Sequence, residues 1–361
     1  MKVAIVHYWL VSMRGGEAFI NTLLDLFPDA DIYTHVYDKH AVSDKIAGRK
    51  ISTTFIQNLP LSKHLYQSYL PFMPLALEQI DLRSYDLVIS SESGPAKGVL
   101  TPLDCLHVCY CHTPMRYLWD MYHDYKNISG PLKRIAMIPL FHYLRLWDTA
   151  SAQRVDRFVA NSKHVANRIK KIYRRNATVI HPPVDVQDFF VSEELDDFYL
   201  MVGQLVGYKR VDLAIRAFNR MQKPLIVIGE GEQYGMLNQI AGPNIKLMGR
   251  QPFSVVQEHY AKCQALIFPG EEDFGIVPVE AMASGRPVIA YGRGGALETV
   301  VEGETGIFFF KQSEEALIDA VNEFESNKNR FKPIVCRNRA KIFNIKRFQK
   351  EFLQFVELNL N

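Results

Sequence analysis

What most restricts the folding of this chain is one alternation that runs along it, stops and starts again. Short runs rich in apolar and β-branched residues recur at 3–6, 87–89, 106–110, 157–160 and 178–180, and stretches with helical spacing, such as 17–26 and 163–173, separate several of them. Strand-length runs alternating with helical segments predict an α/β unit with a parallel sheet. The pattern breaks at His181-Pro182-Pro183 and the acidic segment 193–197. It restarts with runs at 198–202, 225–228, 245–247, 265–268 and 287–290, with helical spacing at 210–221, 254–261, 277–284 and 314–324. No low-complexity tract or short repeat intervenes, so the reading is two copies of one architecture: residues 1–183 as one domain and 197–340 as the other. A chain of 361 residues with 48% hydrophobic side chains suits two such cores. In the last segment Phe348, Phe352 and Phe355 fall at helical spacing. That helix either caps the second domain or crosses back, and we expect 341–361 to join the first.

Charge and cysteine usage exclude several classes. A formal net charge of +3 is too mild for a dedicated nucleic-acid binder, so no nucleic-acid partner is expected. The five cysteines are odd in number, and Cys105, Cys109 and Cys111 sit in an apolar run, not at zinc spacing; reduced thiols and a cytoplasmic location follow. The opening MKVAIVHYWL has no charged region or cleavage site of a secretory signal and reads as a buried strand. No uninterrupted apolar stretch is long enough to span a membrane, because 132–147 is broken by Lys133, Arg134, Pro139, His142 and Arg145. That same stretch, and the basic residues Arg154, Arg157, Lys163, Arg168, Lys170, Lys171, Arg174 and Arg175, would suit peripheral contact with an anionic membrane at the inner face of the plasma membrane, although a solvated helical face explains them as well.

The most informative stretch is 272–285, Glu-Asp-Phe-Gly-Ile-Val-Pro-Val-Glu-Ala-Met-Ala-Ser-Gly, which follows the run 265–268 and reads strand, loop, helix. Pro278 in the first turn lacks only an N–H that would have no intrahelical acceptor there, and Gly285 ends the helix. The free amides of that turn form an anion site. Glu272 and Glu280 have seven residues between them, so they can grasp different hydroxyl-bearing parts of one ligand. Alone, two such acids would be a helix-dipole partner and a surface residue; the Phe-Gly-Ile setting and the apolar helix favour a ligand.

Gly15-Gly16 lies between the first run and a helix, where missing side chains allow either a tight turn or close approach of a phosphate. His112 follows the run 106–111 and precedes Thr113-Pro114, at the carboxyl end of a strand, where open α/β sheets hold ligands. Gly229-Glu230-Gly231 suggests a dinucleotide-binding oxidoreductase, but Tyr234 occupies the third glycine position. Gly294-Gly295 reads as an architectural turn, and Asp29-Ala30-Asp31 as a turn into a strand, not a metal site.

These motifs together resemble retaining glycosyltransferase family 4, glycosyl transferases group 1, with the GT-B fold: α/β, two Rossmann-like domains whose parallel sheets face each other across a cleft. The likeness rests on the Glu-x7-Glu of 272–280, on Val202-Gly203-Gln204-Leu205-Val206-Gly207-Tyr208-Lys209-Arg210, on Val227-Ile228-Gly229-Glu230-Gly231, on Arg14-Gly15-Gly16-Glu17 and on Tyr110-Cys111-His112-Thr113-Pro114-Met115-Arg116-Tyr117. The branch most similar includes O-antigen and polysaccharide mannosyltransferases. The resemblance implies that Glu272 holds the donor sugar, Glu280 the ribose, and the backbone of Phe274, Gly275, Ile276 and Val277 the sugar and phosphates. Lys209 would neutralise the departing diphosphate, with Gly15 and Gly16 near it, and His112 would meet the transferred sugar. Arg250 would lie by the nucleobase, and Arg116 would touch sugar or acceptor. Gln204 departs from the family, which usually has an arginine there; Arg210 is the candidate to compensate.

The implied reaction is retaining transfer of a hexose, mannose from GDP-mannose first, with neither metal nor other cofactor. Its acceptor would be a glycan or a polyprenyl-diphosphate-linked molecule in surface polysaccharide or lipopolysaccharide synthesis. A UDP-sugar-dependent enzyme of the same family and a non-catalytic sugar-nucleotide-binding protein are the alternatives.

Overall fold

Buried apolar runs become strands because each lies between two helical layers. A computed structural model describes residues 1–128 and 130–360, and the chain divides into two units: Met1–Pro182 with Phe348–Asn361, and Pro183–Arg347. Residues 183–196 thus belong with the second.

In the first unit, strands β1 (Val3–His7), β2 (Asp31–Thr34), β3 (Ile51–Thr53), β4 (Leu87–Glu92), β5 (Leu106–Cys111), β6 (Arg157–Ala160) and β7 (Ala177–Val179) form a parallel sheet in the order β3-β2-β1-β4-β5-β6-β7. Side chains alternate between faces, so Val3, Ile5, Leu87, Ile89, Val108 and Tyr110 share one core with Phe19 and Leu23 of the helix Gly15–Leu26. Ala4, Val6 and Val88 face the other way, onto Phe141 and Trp147 of the helix Pro131–Gln153. The last helix, Ile345–Leu360, buries Phe348, Phe352 and Val356 in the Phe19–Tyr110 core.

The second unit repeats the plan with six strands: β8 (Tyr199–Val202), β9 (Leu225–Ile228), β10 (Ile245–Leu247), β11 (Leu266–Phe268), β12 (Val288–Tyr291) and β13 (Gly306–Phe309), in the order β10-β9-β8-β11-β12-β13. Tyr199, Met201, Val227 and Ile289 pack on one face; Leu200, Ile228, Leu266 and Val288 pack on the other.

In both sheets the strand order reverses beside the unit's first strand. Ligands of doubly wound sheets bind at the carboxyl ends of strands flanking such a reversal. The loops in question are those after β1 and β4 in the first unit and after β8 and β11 in the second. Three strands lie outside the apolar runs read from the sequence. β2 and β3 are four and three residues long, and β13 begins at a glycine. The interrupted apolar stretch at 132–147 lies within a single helix, Pro131–Gln153, that carries Pro139 inside it.

Candidate active site

In the second unit, backbone contacts bring the loops together. Gly203 follows β8 with φ +146°, and a Cβ on Gly229 would stand 1.8 Å from its carbonyl oxygen. A Cβ on Gly231 would stand 2.4 Å from the carbonyl oxygen of Leu205. Both glycines of the Gly-Glu-Gly motif therefore serve strand packing. The chain after β8 then turns so that the Lys209 ammonium returns over Gly203, 3.7 Å from where a Cβ would be. There it donates to Glu272 Oε1. Gly270 makes this possible, since a Cβ on it would meet Lys209 Cα at 2.9 Å.

Glu272 is fixed from behind. Its carbonyl accepts from Gly295 N at 2.8 Å, and a Cβ on Gly294 would stand 2.3 Å from the same oxygen. Gly275, at φ +88°, then caps the helix Ile276–Ala283. The Phe274 side chain is buried against Phe343, so it anchors the loop. Ile276 and Val277 open the helix, and their amides have no intrahelical acceptor. One turn on, Glu280 Oε2 accepts from the buried Tyr260 hydroxyl at 2.8 Å.

Charge is held unevenly in this group. For Lys209, burial lowers the pKa, but the Glu272 carboxylate beside it more than offsets that and leaves it raised, so the ammonium stays charged. Burial raises Glu280, with the Tyr260 hydrogen bond and Lys209 opposing.

Other residues singled out in the sequence lie apart from this pair. Gln204 is exposed. Arg210, at φ +54°, sits 3.4 Å from both Asp212 and Gln312, and makes no contact with Lys209 or Glu272 among those observed. Arg250 is 75% exposed, with Glu230 at 3.6 Å.

In the first unit, Gly15 and Gly16 open the helix Gly15–Leu26, and a Cβ on Gly16 would meet Tyr8 Oη at 2.6 Å and His7 Cε1 at 3.3 Å. His112 follows β5. Its amide donates to Glu92 O at 2.8 Å, its carbonyl accepts from Asn161, and its ring is set edge-on to Phe19. His112 Nε2 lies 3.0 Å from Ser91 Oγ. Arg116 is held 3.5 Å from Asp120, which also pairs with Arg168. Beneath the loop, buried Lys97 bridges Glu92 and Asp148, and Glu92 also accepts from the amides of Ala96 and Lys97.

Much of the basic cluster is tied down. Arg154 pairs with Glu78, Arg168 with Asp120 and Thr113, and Arg175 with backbone carbonyls between Ala152 and Asp156. Asp31 of the Asp-Ala-Asp triplet accepts from Tyr85 and Lys50. All five cysteines are unpaired and buried.

His7, Ser91, Glu92 and Tyr260 escaped the sequence reading. For His7, Ser91 and Glu92 the signal is a polar side chain close to an apolar run; Tyr260, inside the helical spacing of 254–261, carries none.

Residues 13–188 match the family model Glycosyltransferase Family 4, and residues 187–341 match Glycosyl transferases group 1. The alpha-1,3/1,6-mannosyltransferase of Schizosaccharomyces pombe is 24% identical over 331 residues, covering 77% of this chain and 60% of its own length. An O-antigen chain mannosyltransferase of Salmonella typhimurium is 28% identical over 159 residues, covering 41% of this chain and 45% of its own. The chain thus spans less than two thirds of either relative. Among solved structures, the HepE protein of Anabaena in complex with UDP and glucose superposes with a TM-score of 0.71 at 16% identity, over 99% of each chain.

Proposed function

This chain belongs to the family 4 and group 1 glycosyltransferases, and we propose that it moves mannose from GDP-mannose to a glycan or polyprenyl-diphosphate-linked acceptor, with retention of configuration and without a metal. The observation that carries this reading is the grouping of Lys209, Glu272 and Glu280 around the first turn of the helix Ile276–Ala283. Departure of a nucleoside diphosphate builds negative charge on phosphate oxygens. A charged lysine and helix amides without an intrahelical acceptor can stabilise it. Glu272 keeps Lys209 ionised before the donor arrives and takes sugar hydroxyls when Lys209 turns to phosphate. Glu280, steadied by Tyr260, accepts from the ribose, and His112 meets a sugar hydroxyl. The bond from the anomeric carbon to phosphate breaks as the acceptor oxygen adds on the same face, and a departing phosphate oxygen takes the acceptor's proton. The mannosyl choice is supported by the two mannosyltransferase relatives.

The acceptor would be met at a membrane surface. Among the described residues no helix is long and apolar enough to cross a membrane, but Leu132, Ile135, Ile138 and Leu146 stand exposed on the helix Pro131–Gln153 beside Lys133. The test is transfer from GDP-mannose, UDP-glucose and UDP-galactose to a lipid-diphosphate acceptor with a chelator present, with product stereochemistry read by NMR. Retained anomeric configuration from GDP-mannose is expected; inversion, or dependence on added metal, would overturn the mechanism.

A further inference from the structure

The parallel register sets His7 beside Ser91, and the alternation of β1, β4 and β5 turns both toward the face that carries Tyr110 and His112. His7 Nδ1 lies 3.1 Å from Ser91 Oγ, and His112 Nε2 lies 3.0 Å from the same oxygen. One hydroxyl thus lies between two imidazoles, able to accept from one and donate to the other. His7 and Ser91 are 1% and 0% exposed, and His7 Nε2 has no hydrogen-bond partner.

We propose that Ser91 and His7 are positioning residues for His112, the shared hydroxyl holding both rings in the tautomer protonated on Nδ1. The choice follows from counting protons. If His7 Nδ1–H donates to Oγ, the hydroxyl donates to His112 Nε2, and both rings carry their proton on Nδ1. If the direction reverses, both carry it on Nε2, and His7 is left with a buried N–H that has no acceptor. If both rings donate into Oγ, the hydroxyl proton is stranded. Orphaned buried N–H groups are rarer than bare acceptors, so the first arrangement wins. Burial, and next the neighbouring His112, holds the His7 pKa well below its ordinary value, so this ring stays neutral. His112 then carries its proton at Nδ1, and the part it plays toward a sugar rests on the glycosyltransfer reading above.

The experiment is a long-range ¹H–¹⁵N imidazole spectrum of the full-length protein at mildly alkaline pH, with Ser91→Ala and Ser91→Thr. The native spectrum should show both rings protonated on Nδ1. Ser91→Ala should move His112 toward the Nε2 form and lower kcat about 10- to 100-fold, by analogy with the loss of partners that orient metal-bound histidines, with donor KM little changed. Ser91→Thr should restore both. Rings protonated on Nε2 in the native protein, a His112 signal indifferent to Ser91→Ala, or an unchanged kcat despite a shifted signal would each overturn the proposal. Should Ser91→Ala not fold, the native spectrum alone decides the tautomer. If the native protein transfers no sugar, the glycosyltransfer reading falls while the spectrum still settles the tautomer.

Discussion

The two units share a plan but differ in how they hold their loops. Tyrosines and cysteines aside, the buried polar side chains of the second unit among the described residues are Ser284, Arg286, Thr299 and Thr305, whereas the first buries His7, His35, Ser91, Glu92, Lys97, His107 and Asp148 among others. The second unit positions Lys209 and Glu272 by backbone on backbone, through glycines whose missing Cβ lets Gly203 meet Gly229 and Glu272 meet Gly294. The first adds side chains to the backbone: Ser91 and Asn161 hold His112, and the Lys97–Glu92 pair holds the strand end beside it. The same architecture thus fails in different ways when it is perturbed: one unit to added bulk, the other to lost charge or acid.

The sharpest way to break this contrast is Lys97→Met. It leaves Glu92 and Asp148 buried without their cation and should cost about 3–5 kcal/mol of first-unit stability in urea unfolding. A loss below about 1 kcal/mol, the range of an exposed pair, would remove the argument. Next is Gly229→Ala, whose Cβ meets Gly203 O; an overpacking loss of about 1–3 kcal/mol is expected in the second unit, and no loss would mean the loops are not held by backbone approach.

Acid sharpens the comparison further. Burial, then Arg154 and Lys97, lowers His107 to about 3 from 6.5. Below pH 6.5 the unfolded chain takes up a proton that folded His107 refuses, so its stabilisation is complete above that pH and is lost as pH falls toward about 3. His107→Gln should therefore flatten the pH dependence of unfolding by about 1.4 kcal/mol per pH unit in that window; an unchanged slope would show that the ring is not held neutral. The smallest expected effect is Gln204→Arg. An added cation by the diphosphate should tighten donor binding about fivefold, the worth of a partly exposed ion pair, as read by calorimetry.

The fold was legible because strands such as β1 and β8 are continuous apolar runs, whose period and bounds survive without tertiary context. β2 and β3 were not, because so few residues carry no period that separates them from a loop. Glu272 and Glu280 were legible because loop, cap and helix are contiguous, so their relation is local. The resemblance implies roles for both Lys209 and Glu272, whereas their direct contact depends on Gly270, which spacing does not show. Arg210 illustrates the limit: a left-handed backbone at that residue turns its side chain toward Asp212 and Gln312, which spacing cannot reveal. His7 and Ser91 meet only through sheet register, across 84 positions.

In the proposed reaction Lys209 receives the diphosphate of a nucleotide held by the second unit. Calorimetric titration of GDP and UDP into the native protein and Lys209→Ala tests it most directly. At least one nucleotide should bind the native protein, and the substitution should weaken it by about tenfold or more, roughly 1.4 kcal/mol. Equal affinity in both proteins, or no binding of either nucleotide, would contradict it.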